Sequence, residues 1–341
     1  MNREWQLVRP RRAREGDTVA VVSPSDHLGR VGARVVQRNG RYIEKNWGIE
    51  MLYMKNWQNQ TFDFMAGTPE ERMDDLEEAI LSDARVVWAT GGGFDGKRTL
   101  EVFDARKVRE KIREDPPIFV GYSDICLHLL RILAEGGGSV MAPTLWGLRQ
   151  WTRSSVLELM DVLSGESVLR IGPEERWETW GLKGKTEGRI VASNLSVLTH
   201  TFSSRGDALA KVPGPKILML EEYRTPKDDL MRWLDIILDH EKIDEVKAVV
   251  WGRLRGVNNK IYPRWGKNTP LKEELVNRLN SKGIMTAFLP ELFGHTLKDD
   301  SGLDRRLQFG TTRFLPIPNG VLAELVIGGE CSLQCHESVC R

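Results

Sequence analysis

Short apolar segments alternate with helix-forming segments through the first half of this 341-residue chain. The apolar segments have the length of buried strands, and they lie at 18–23, 50–54, 84–89, 118–120 and 139–141. One intervening helix is predicted to begin at Pro69, because Thr68 can act as its N-cap and Glu71 completes a capping box. Strands that alternate with helices pair in parallel, with the helices as crossovers. The alternation therefore predicts an α/β domain built on a parallel sheet.

The composition of the chain changes near residue 165. Residues 166–187 are rich in glycine, charge and tryptophan without a clear period, and loops longer than ~12–15 residues are usually functional. We therefore predict an N-terminal α/β domain over 1–165, a linker or substrate loop over 166–187, and a C-terminal domain over 188–341. Strands of the second domain are predicted at 188–192, 216–220, 247–251 and 321–327, and helices at about 226–240 and 270–282.

The charge balance restricts the partners of the protein. Its 49 Lys and Arg residues against 48 Asp and Glu residues give a net charge of +1, which argues against a nucleic acid polymer or an anionic membrane as partner. No apolar run reaches the ~18 residues of a membrane-spanning helix. The basic N-terminal segment has no apolar stretch behind it, unlike a secretory signal. We expect a cytoplasmic protein.

Three of the four cysteines lie close to the end of the chain. Cys331, Cys335, His336 and Cys340 form the pattern C-x3-C-H-x4-C, which could supply thiolate and imidazole ligands to a metal ion. A terminal stretch this short lacks a fold that would fix tetrahedral geometry, so we predict a frayed tail with free thiols and no metal site. Free cysteines fit a reducing compartment, in keeping with the cytoplasm.

The segment PPIFVGYSDICLHLL contains the strongest local signal for chemistry. A predicted strand ends at Gly121, a turn holds Tyr122 and Ser123, and a helix begins near Asp124. A serine at such a turn presents its hydroxyl at the carboxyl edge of the sheet, beside helix amides that stabilise negative charge. The second glycine of a G-x-S-x-G nucleophile elbow is absent, because Ile125 occupies its position. Ser123 is therefore either a nucleophile or an N-cap residue that satisfies a backbone donor.

A glycine cluster follows the predicted strand 84–89 in the segment WATGGGFDGKR. Glycines allow positive φ and let a ligand approach the backbone amides closely. The cluster is compatible with an anion-binding nest, a dinucleotide loop, half of an oxyanion hole or a plain tight turn. Gly91, Gly93 and Gly96 fit the spacing G-x-G-x-x-G, but no acidic residue is placed to bind a ribose, so we predict no nucleotide cofactor.

Carboxylate and imidazole candidates occur in the second half of the chain. Glu221 and Glu222 end the apolar segment ILMLEE, and His295 lies in a loop beside Gly294. Together with Ser123 and a glycine loop, these residues are the parts that acyl transfer requires. The imidazole accepts the hydroxyl proton, the carboxylate fixes the imidazole tautomer, and backbone amides stabilise the oxyanion.

Several motifs, in the same order, resemble those of the LD-carboxypeptidase family of serine peptidases, which includes murein tetrapeptide carboxypeptidases and microcin C immunity peptidases. GYSDI resembles the nucleophile motif of the family, and TGGGFDGKR resembles its glycine loop. The segment RAREGDTVAVVSPS resembles the opening strand, and GRIVASNLSVL resembles a family segment of the second half. LEE and FGHT resemble the segments that bear the catalytic glutamate and histidine.

The resemblance implies a fold and a catalytic triad. The fold would be an N-terminal Rossmann-like α/β domain with a parallel sheet, followed by a C-terminal barrel-like β domain with helices. Ser123 would be the nucleophile and His295 the general base. Glu221 would orient the imidazole, with Glu222 as the alternative. The triad would then lie in a cleft between the domains.

The resemblance also implies the remaining parts of the site. The backbone amides of Asp124 and of Gly92 or Gly93 would form the oxyanion hole. Family members are typically homodimers and need no metal or other cofactor, so the same is expected of this chain.

Departures from the family motifs bear on the substrate. Murein-type members usually carry R-G-G-Y-G in the glycine loop, whereas Gly91 replaces that arginine here and Asp95 replaces the last glycine. Without this guanidinium, the glycine loop is less suited to bind a peptide carboxylate. The chain length, Trp177 and Trp180 resemble the microcin-immunity branch, in which an aromatic side chain stacks on the adenine of a peptidyl-nucleotide. Packing between domains is the alternative role for both tryptophans.

We therefore predict a serine peptidase that hydrolyses an amide near the C-terminal end of a small peptide or of a peptidyl- or aminoacyl-nucleotide. The alternative substrate is a muropeptide tetrapeptide that loses its terminal D-alanine. A non-catalytic module that binds a nucleotide or peptide is the alternative of another class. A further hypothesis, an NAD-dependent oxidoreductase, is supported by the glycine cluster alone.

Overall fold

The computed structural model describes residues 5–61, 64–202, 204–257, 269–296 and 309–341. The strands of this part of the chain are β1 (Thr18–Val22), β2 (Glu50–Tyr53), β3 (Val86–Ala89), β4 (Ile118–Gly121), β5 (Ser139–Met141), β6 (Arg170–Ile171), β7 (Glu178–Thr179), β8 (Gly184–Asn194), β9 (Lys216–Tyr223), β10 (Val246–Arg255), β11 (Met285–Phe288), β12 (Ile317–Asn319), β13 (Leu322–Ile327) and β14 (Ser332–Cys335). Its α-helices are α1 (Gly29–Trp47), α2 (Pro69–Leu81), α3 (Gly96–Glu101), α4 (Ala105–Glu114), α5 (Cys126–Ala134), α6 (Arg153–Leu163), α7 (Leu195–His200), α8 (Ala208–Lys211), α9 (Lys227–Leu238) and α10 (Leu271–Asn280).

Five strands of the first half and β12 form a six-stranded sheet in the order β12-β5-β4-β3-β1-β2. Strands β1 to β5 pair in parallel, which confirms the predicted α/β class. Helix α2 begins as predicted: the Glu71 amide donates to the Thr68 hydroxyl, and the Thr68 amide donates to the Glu71 carboxylate. The carboxyl ends of β3 and β4 bear the glycine cluster and Ser123, so both lie at one edge of this sheet.

The strand predicted at 321–327 is β13, and a further strand, β12, comes just before it and belongs to the first sheet. Strand β12 pairs antiparallel with β5 of the first sheet, and β13 pairs antiparallel with β8 of the second. Gly320 lies between them with φ +85°, and a methyl group built on it would lie 2.7 Å from Leu133 Cδ1. A glycine is needed there because the chain turns sharply against packed side chains. The sequence pattern did not predict β12.

The second half forms an eight-stranded sheet in the order β6-β14-β13-β8-β9-β10-β11-β7. Strands β8 to β11 are parallel, and the outer strands are antiparallel. Strands β11 and β13 approach within 8 Å between Cα atoms although other strands separate them in the sheet, so the sheet curls on itself. The segment 166–187 supplies β6 and β7, which pair with opposite ends of this sheet.

The cysteine-rich end is part of the second sheet, so the predicted frayed tail is wrong. Strand β14 pairs with β13, and Cys331, Cys335 and Cys340 are buried. Burial raises the pKa of Cys335 to about 12 and keeps its thiol protonated. Strand alternation explains the error, because Leu333 and Cys335 face the core while Gln334 between them faces outward. The described residues contain no group of three His, Cys, Asp or Glu side chains arranged to hold a metal ion.

One core cluster joins the two halves of the molecule. It includes residues of β1, β3 and β4 in the first sheet and Ile190, Ala192, Ile217 and Met219 of the second sheet. None of the helices in the described ranges is long and apolar enough to cross a membrane. The shared core holds the ends of β4, β9 and β11 in fixed relation, and these ends carry the candidate residues.

Candidate active site

Ser123 occupies a strained turn between β4 and α5. Its φ is +65°, in the left-handed region that residues other than glycine rarely adopt. Residues Ser123–Ile125 form one 3-10 turn that leads directly into α5. Strain of this kind persists where the surrounding structure holds it, and it is typical of the turn that presents a nucleophile.

Packing explains why the nucleophile turn has a glycine at position 121 but none at position 125. A methyl group built on Gly121 would lie 2.6 Å from Ile125 Cγ2 and 3.4 Å from Ala89 Cβ. Ile125 itself is buried under the turn. The close approach therefore requires a glycine at position 121, while position 125 carries a core side chain.

The glycine cluster lies against the Ser123 side chain. A methyl group built on Gly92 would lie 2.9 Å from Ser123 Cβ, 3.0 Å from Ser123 Oγ and 3.6 Å from the Asp124 amide nitrogen. The Gly92 backbone and the Asp124 amide thus border the same small space beside the hydroxyl. This is the arrangement that an oxyanion hole needs.

We expect Gly92→Ala to lower kcat/KM by about 100-fold or more, similar to the loss of one oxyanion donor. The added methyl group would collide with the hydroxyl and displace either the loop or Ser123. Gly328→Ala is the matched control, because a methyl group there has no atom within 4 Å. Steady-state kinetics and thermal melting of both variants test the expectation, and an active, folded Gly92→Ala protein would contradict it.

The buried Asp124 and the half-buried Asp26 hold the glycine cluster in place. Asp124 accepts hydrogen bonds from Ser25 Oγ (2.5 Å) and from the Gly96 amide (2.7 Å). Asp26 accepts a hydrogen bond from the Phe94 amide (2.9 Å). Burial is the main cause that raises the pKa of both carboxyl groups. These contacts tie the turn after β1 and the nucleophile turn to the glycine loop.

Asp95, which departs from the family motif, forms a buried ion pair. Its carboxylate lies 2.5 Å from Arg72 Nη2, and the Arg72 side chain is 1% exposed. Arg72 Nε also donates to Thr99 Oγ1. Asp95 therefore anchors the glycine loop to α2.

Glu221 and His295 meet at the carboxyl ends of β9 and β11. His295 Nδ1 lies 3.0 and 2.9 Å from the two carboxylate oxygens of Glu221, and the His295 backbone amide donates to Oε2 (3.0 Å). Glu221 is fully buried, while the His295 side chain is 14% exposed. A proton on Nδ1 satisfies the carboxylate and leaves Nε2 as a proton acceptor. The pair therefore has the geometry of an acid that orients a general base.

Gly294 permits this approach. Its φ is +96°, and a methyl group built on it would lie 2.7 Å from Glu221 Cβ. The loop therefore reaches the carboxylate only because position 294 has no side chain.

Aromatic rings enclose the imidazole and link it to the nucleophile turn. Tyr223 stacks on His295 with ring centroids 4.8 Å apart and an interplanar angle of 14°. Tyr122, the neighbour of Ser123, packs against His295 at 4.8 Å. Burial raises the pKa of the Tyr122 phenol, which stays neutral. The two halves of the molecule thus bring the turn that carries Ser123 next to the Glu221–His295 pair.

Glu222 faces the other side of the sheet from Glu221. Its carboxylate accepts hydrogen bonds from the amides of Ser196 (2.9 Å) and Tyr223 (3.0 Å), and so satisfies a donor in the first turn of α7. Burial, followed by repulsion from Glu221, raises the pKa of Glu222. These contacts favour Glu221 over Glu222 as the partner of His295.

Arg253 supports the histidine loop and was not singled out from the sequence. The side chain is buried, and it donates to the carbonyl oxygens of Gly294 (3.0 Å), Arg313 (2.7 Å) and Glu291. Its partners are backbone carbonyls of two segments that lie 38 to 60 positions away. No sequence pattern signals such a contact, so only the tertiary structure reveals it.

Sequence profiles of the LD-carboxypeptidase family match both halves of the chain. The profile of the N-terminal domain matches residues 19–142, and the profile of the C-terminal domain matches residues 187–299. This chain belongs to the LD-carboxypeptidase family. It is a carboxypeptidase-type hydrolase, and the family supports activity of the serine-peptidase type.

Individual relatives agree with this assignment. The chain is 27% identical over 294 residues to a protein of Synechocystis sp. that carries a carboxypeptidase name, with 85% of this chain and 89% of that protein covered. It is 25% identical over 241 residues to the murein tetrapeptide carboxypeptidase of Pseudomonas aeruginosa, covering 69% and 75%. The microcin C7 self-immunity protein MccF, solved with glutamyl sulfamoyl guanosine, has a similar fold, with a TM-score of 0.75 at 19% identity over 97% of this chain and 99% of that one.

The two tryptophans of the segment 166–187 lie in different environments in this family member. Trp177 Nε1 donates to the Gly172 carbonyl (2.8 Å), and its ring packs against the shared core. Trp180 is 46% exposed, packs edge-on against Phe288 and lies 5.6 Å from Lys272 Nζ. Packing accounts for Trp177, whereas the Trp180 ring is open to a ligand.

Proposed function

We propose that this LD-carboxypeptidase family member hydrolyses an amide near the C-terminal end of a small peptide or peptidyl-nucleotide through a Ser–His–Glu acyl-enzyme mechanism. Ser123 is the nucleophile, His295 the general base and Glu221 the acid that orients it. The observation that carries the proposal is the contact of His295 Nδ1 with the buried Glu221 carboxylate, beside the turn that strains Ser123.

The proposed reaction proceeds in two balanced halves. The Ser123 hydroxyl proton moves to His295 Nε2 as Oγ bonds to the carbonyl carbon, and the carbonyl oxygen becomes an oxyanion. The amides of Gly92, Gly93 and Asp124 are the proposed donors to that oxyanion, and one such donor is worth roughly 3–4 kcal/mol. Cleavage of the C–N bond then transfers the proton from Nε2 to the leaving amine. Water repeats the same steps on the acyl-enzyme and releases the acid.

Glu221 and Tyr223 supply what the imidazole needs in this scheme. The Glu221 carboxylate is fully buried and stabilises the imidazolium that forms in each half-reaction. Tyr223 and Tyr122 restrict rotation of the ring, so Nε2 keeps one direction. Holding the reacting groups in this way reduces the entropy that the reaction would otherwise lose.

The first proposed substrate class is a peptidyl- or aminoacyl-nucleotide. A groove of about 710 Å³ next to Trp180 is lined by Leu254, Leu271 and Lys272. Leu254 lies opposite Glu222 in the β9–β10 pair, so the groove borders the strand that carries the proposed acid, on the Glu222 face of the sheet. A half-exposed indole suits a stacked nucleobase, and the Lys272 ammonium group beside it pairs with Glu178.

The second proposed substrate class is a muropeptide tetrapeptide. It is supported by the 25% identity to the murein tetrapeptide carboxypeptidase of Pseudomonas aeruginosa over three quarters of that protein. This substrate would lose its terminal D-alanine by the same chemistry. The two classes share the acyl-enzyme and differ in the group that the groove would bind.

Measurement of kcat/KM on a muropeptide tetrapeptide and on an aminoacyl-adenylate amide separates the two classes. If the nucleotide class is correct, Trp180→Ala lowers kcat/KM on the adenylate by roughly 5–160-fold, since stacking on one base is worth about 1–3 kcal/mol. The same variant leaves hydrolysis of the tetrapeptide unchanged. Turnover of neither substrate by the wild-type protein would contradict the proposed function and favour a non-catalytic binding module.

The assembly and location expected from the family remain part of the proposal. We infer a homodimer that acts in the cytoplasm, in line with the family resemblance and the free thiols. Light scattering of the purified chain tests the dimer, and fractionation of the source cells tests the location.

A further inference from the structure

An arginine with a strained backbone follows the strand that carries Glu221. Arg224 comes directly after β9, and its φ of +54° lies in the left-handed region that residues other than glycine and asparagine rarely adopt. Among the described residues, the only other non-glycine residue with a positive φ is Ser123. Strain of this kind clusters at functional sites, so the arginine at this position calls for a role of its side chain.

The neighbouring strand end holds Arg224 in place. The Arg224 amide donates to the Arg255 carbonyl (2.8 Å), and a methyl group built on Gly256 would lie 3.3 Å from Arg224 Cα and 3.1 Å from its Cγ. The next residue, Thr225, is buried. The backbone and the first side-chain atoms of Arg224 are therefore fixed relative to the ends of β9 and β10, while the residue as a whole is exposed.

Tyr223 connects Arg224 to the imidazole of His295. The guanidinium carbon of Arg224 lies 5.0 Å from the centre of the Tyr223 ring, and the centre of the His295 ring lies 4.8 Å from the same point. The path from His295 Nε2 through a scissile nitrogen and the adjacent carboxylate to a guanidinium spans roughly 8–10 Å, with a hydrogen bond at each end. Arg224 is therefore within reach of the carboxylate of a residue whose amide nitrogen receives the proton from His295.

The positive charge of Arg224 has no ion-pair partner within the described ranges of the chain. The two carboxylates nearest to it in sequence are engaged elsewhere, since Glu221 is bonded to His295 and Glu222 caps α7. The Tyr223 ring stabilises the cation through its π face but does not neutralise it. The guanidinium is thus free to pair with an anion that a substrate brings.

Two phenol groups beside the imidazole add neutral donors. Tyr122 and Tyr223 pack on His295 and are half-buried, and neither hydroxyl has a hydrogen-bond partner in the part of the chain that the structure describes. A phenol in such a position usually has a partner. Burial raises the pKa of the Tyr122 phenol, so this hydroxyl stays protonated and can donate. One cation and two unpaired hydroxyls around His295 suit an anionic group of the substrate.

We propose that Arg224 binds the anionic group that the leaving amine carries beside its nitrogen. This group is the carboxylate in a released amino acid and the phosphoryl group in a released nucleotide. The proposal rests on the proposed function and names the residue that would recognise the leaving group. A carboxypeptidase-type hydrolase must distinguish the last residue of a chain from internal residues, and a guanidinium beside the general base does so because only the last residue carries a carboxylate there.

Binding to the inactive Ser123→Ala protein tests this role without turnover. The carboxylate probe is the tetrapeptide L-Ala-γ-D-Glu-L-Lys-D-Ala, compared with the same peptide ending in a C-terminal amide. The phosphoryl probe is AMP, compared with adenosine. Calorimetry gives Kd for each pair with and without Arg224→Asn, a change that removes the charge and suits the left-handed backbone. Arg232→Gln, on the exposed side of α9, is the control for the same loss of net charge.

We expect Arg224→Asn to weaken binding of one charged probe by about 10–100-fold, as for a charge-assisted hydrogen bond, and to leave its neutral counterpart within twofold. The probe that responds identifies the source of the anion, and Arg224→Lys should bind that probe more tightly than Arg224→Asn. An equal loss for charged and neutral probes, an equal loss with Arg232→Gln, or no binding of either charged probe would overturn the inference. Turnover by the wild-type protein is measured separately, so failure of the proposed function is distinguishable from failure of this role of Arg224.

Discussion

Ser123→Ala is expected to lower kcat by roughly 10⁵–10⁶-fold while the protein keeps its fold. The hydroxyl is the proposed nucleophile, and removal of a nucleophile removes the covalent path altogether. Residual hydrolysis would come only from binding and from the oxyanion amides. The substitution removes one oxygen from a partly exposed side chain, so the melting temperature should change little.

The control for this prediction is Ser154→Ala, because Ser154 is an exposed serine in the first turn of α6. Its kcat should equal that of the wild-type protein. A Ser123→Ala protein with comparable activity would remove the mechanism. An inactive variant with a much lower melting temperature would instead assign the loss to the fold, and circular dichroism separates these cases.

Glu221→Gln is expected to lower kcat by roughly 10³–10⁴-fold. The amide would keep the shape of the side chain but could favour the wrong imidazole tautomer, and it cannot stabilise the imidazolium. KM should change little, because Glu221 is buried behind His295 and is not exposed to substrate. Steady-state kinetics on the substrate that the wild-type protein turns over is the measurement.

Glu222→Gln is the control for Glu221→Gln, because the two glutamates are adjacent in the sequence. The Glu222 carboxylate caps α7 and does not orient His295, so kcat of Glu222→Gln should remain within roughly tenfold of the wild-type value. Since burial raises the pKa of Glu222, the native protein loses stability as pH rises through that pKa and the carboxyl group ionises. The melting temperature of Glu222→Gln relative to wild type should therefore increase from pH 4 to pH 7. A reversed order of activities for the two variants would exchange the roles of Glu221 and Glu222.

The strand and helix pattern of the first half could be predicted from the sequence because each element carries its own signal. The capping box at Thr68 and Glu71 fixed the start of α2, and continuous apolar segments located β1, β3 and β4. Strand β12 lacked such a signal. It has only three residues, one of which is a proline, and it pairs with the edge of a sheet that is distant in the sequence. The end of the chain was mispredicted because β14 is ordered by its long-range pairing with β13 rather than by local sequence.

Some residues of the candidate site could likewise be predicted from the sequence, and others could not. Ser123, Glu221 and His295 could be selected from motifs at strand ends, where parallel sheets present functional side chains. The choice between the two adjacent glutamates required the direction in which each side chain points. Arg253, Tyr122 and Tyr223 act through contacts with the His295 loop, and neither their type nor their spacing in the sequence indicates those contacts.

The proposed mechanism requires an activated Ser123 within reach of an imidazole that Glu221 orients. Reaction of the full-length protein with a serine-directed fluorophosphonate, followed by peptide mapping, tests it most directly. We predict one stoichiometric adduct on Ser123 of the wild-type protein, and labelling at least 100-fold slower in His295→Ala, as expected when the general base is lost. No adduct on Ser123, or equal labelling rates in the two proteins, would contradict the account.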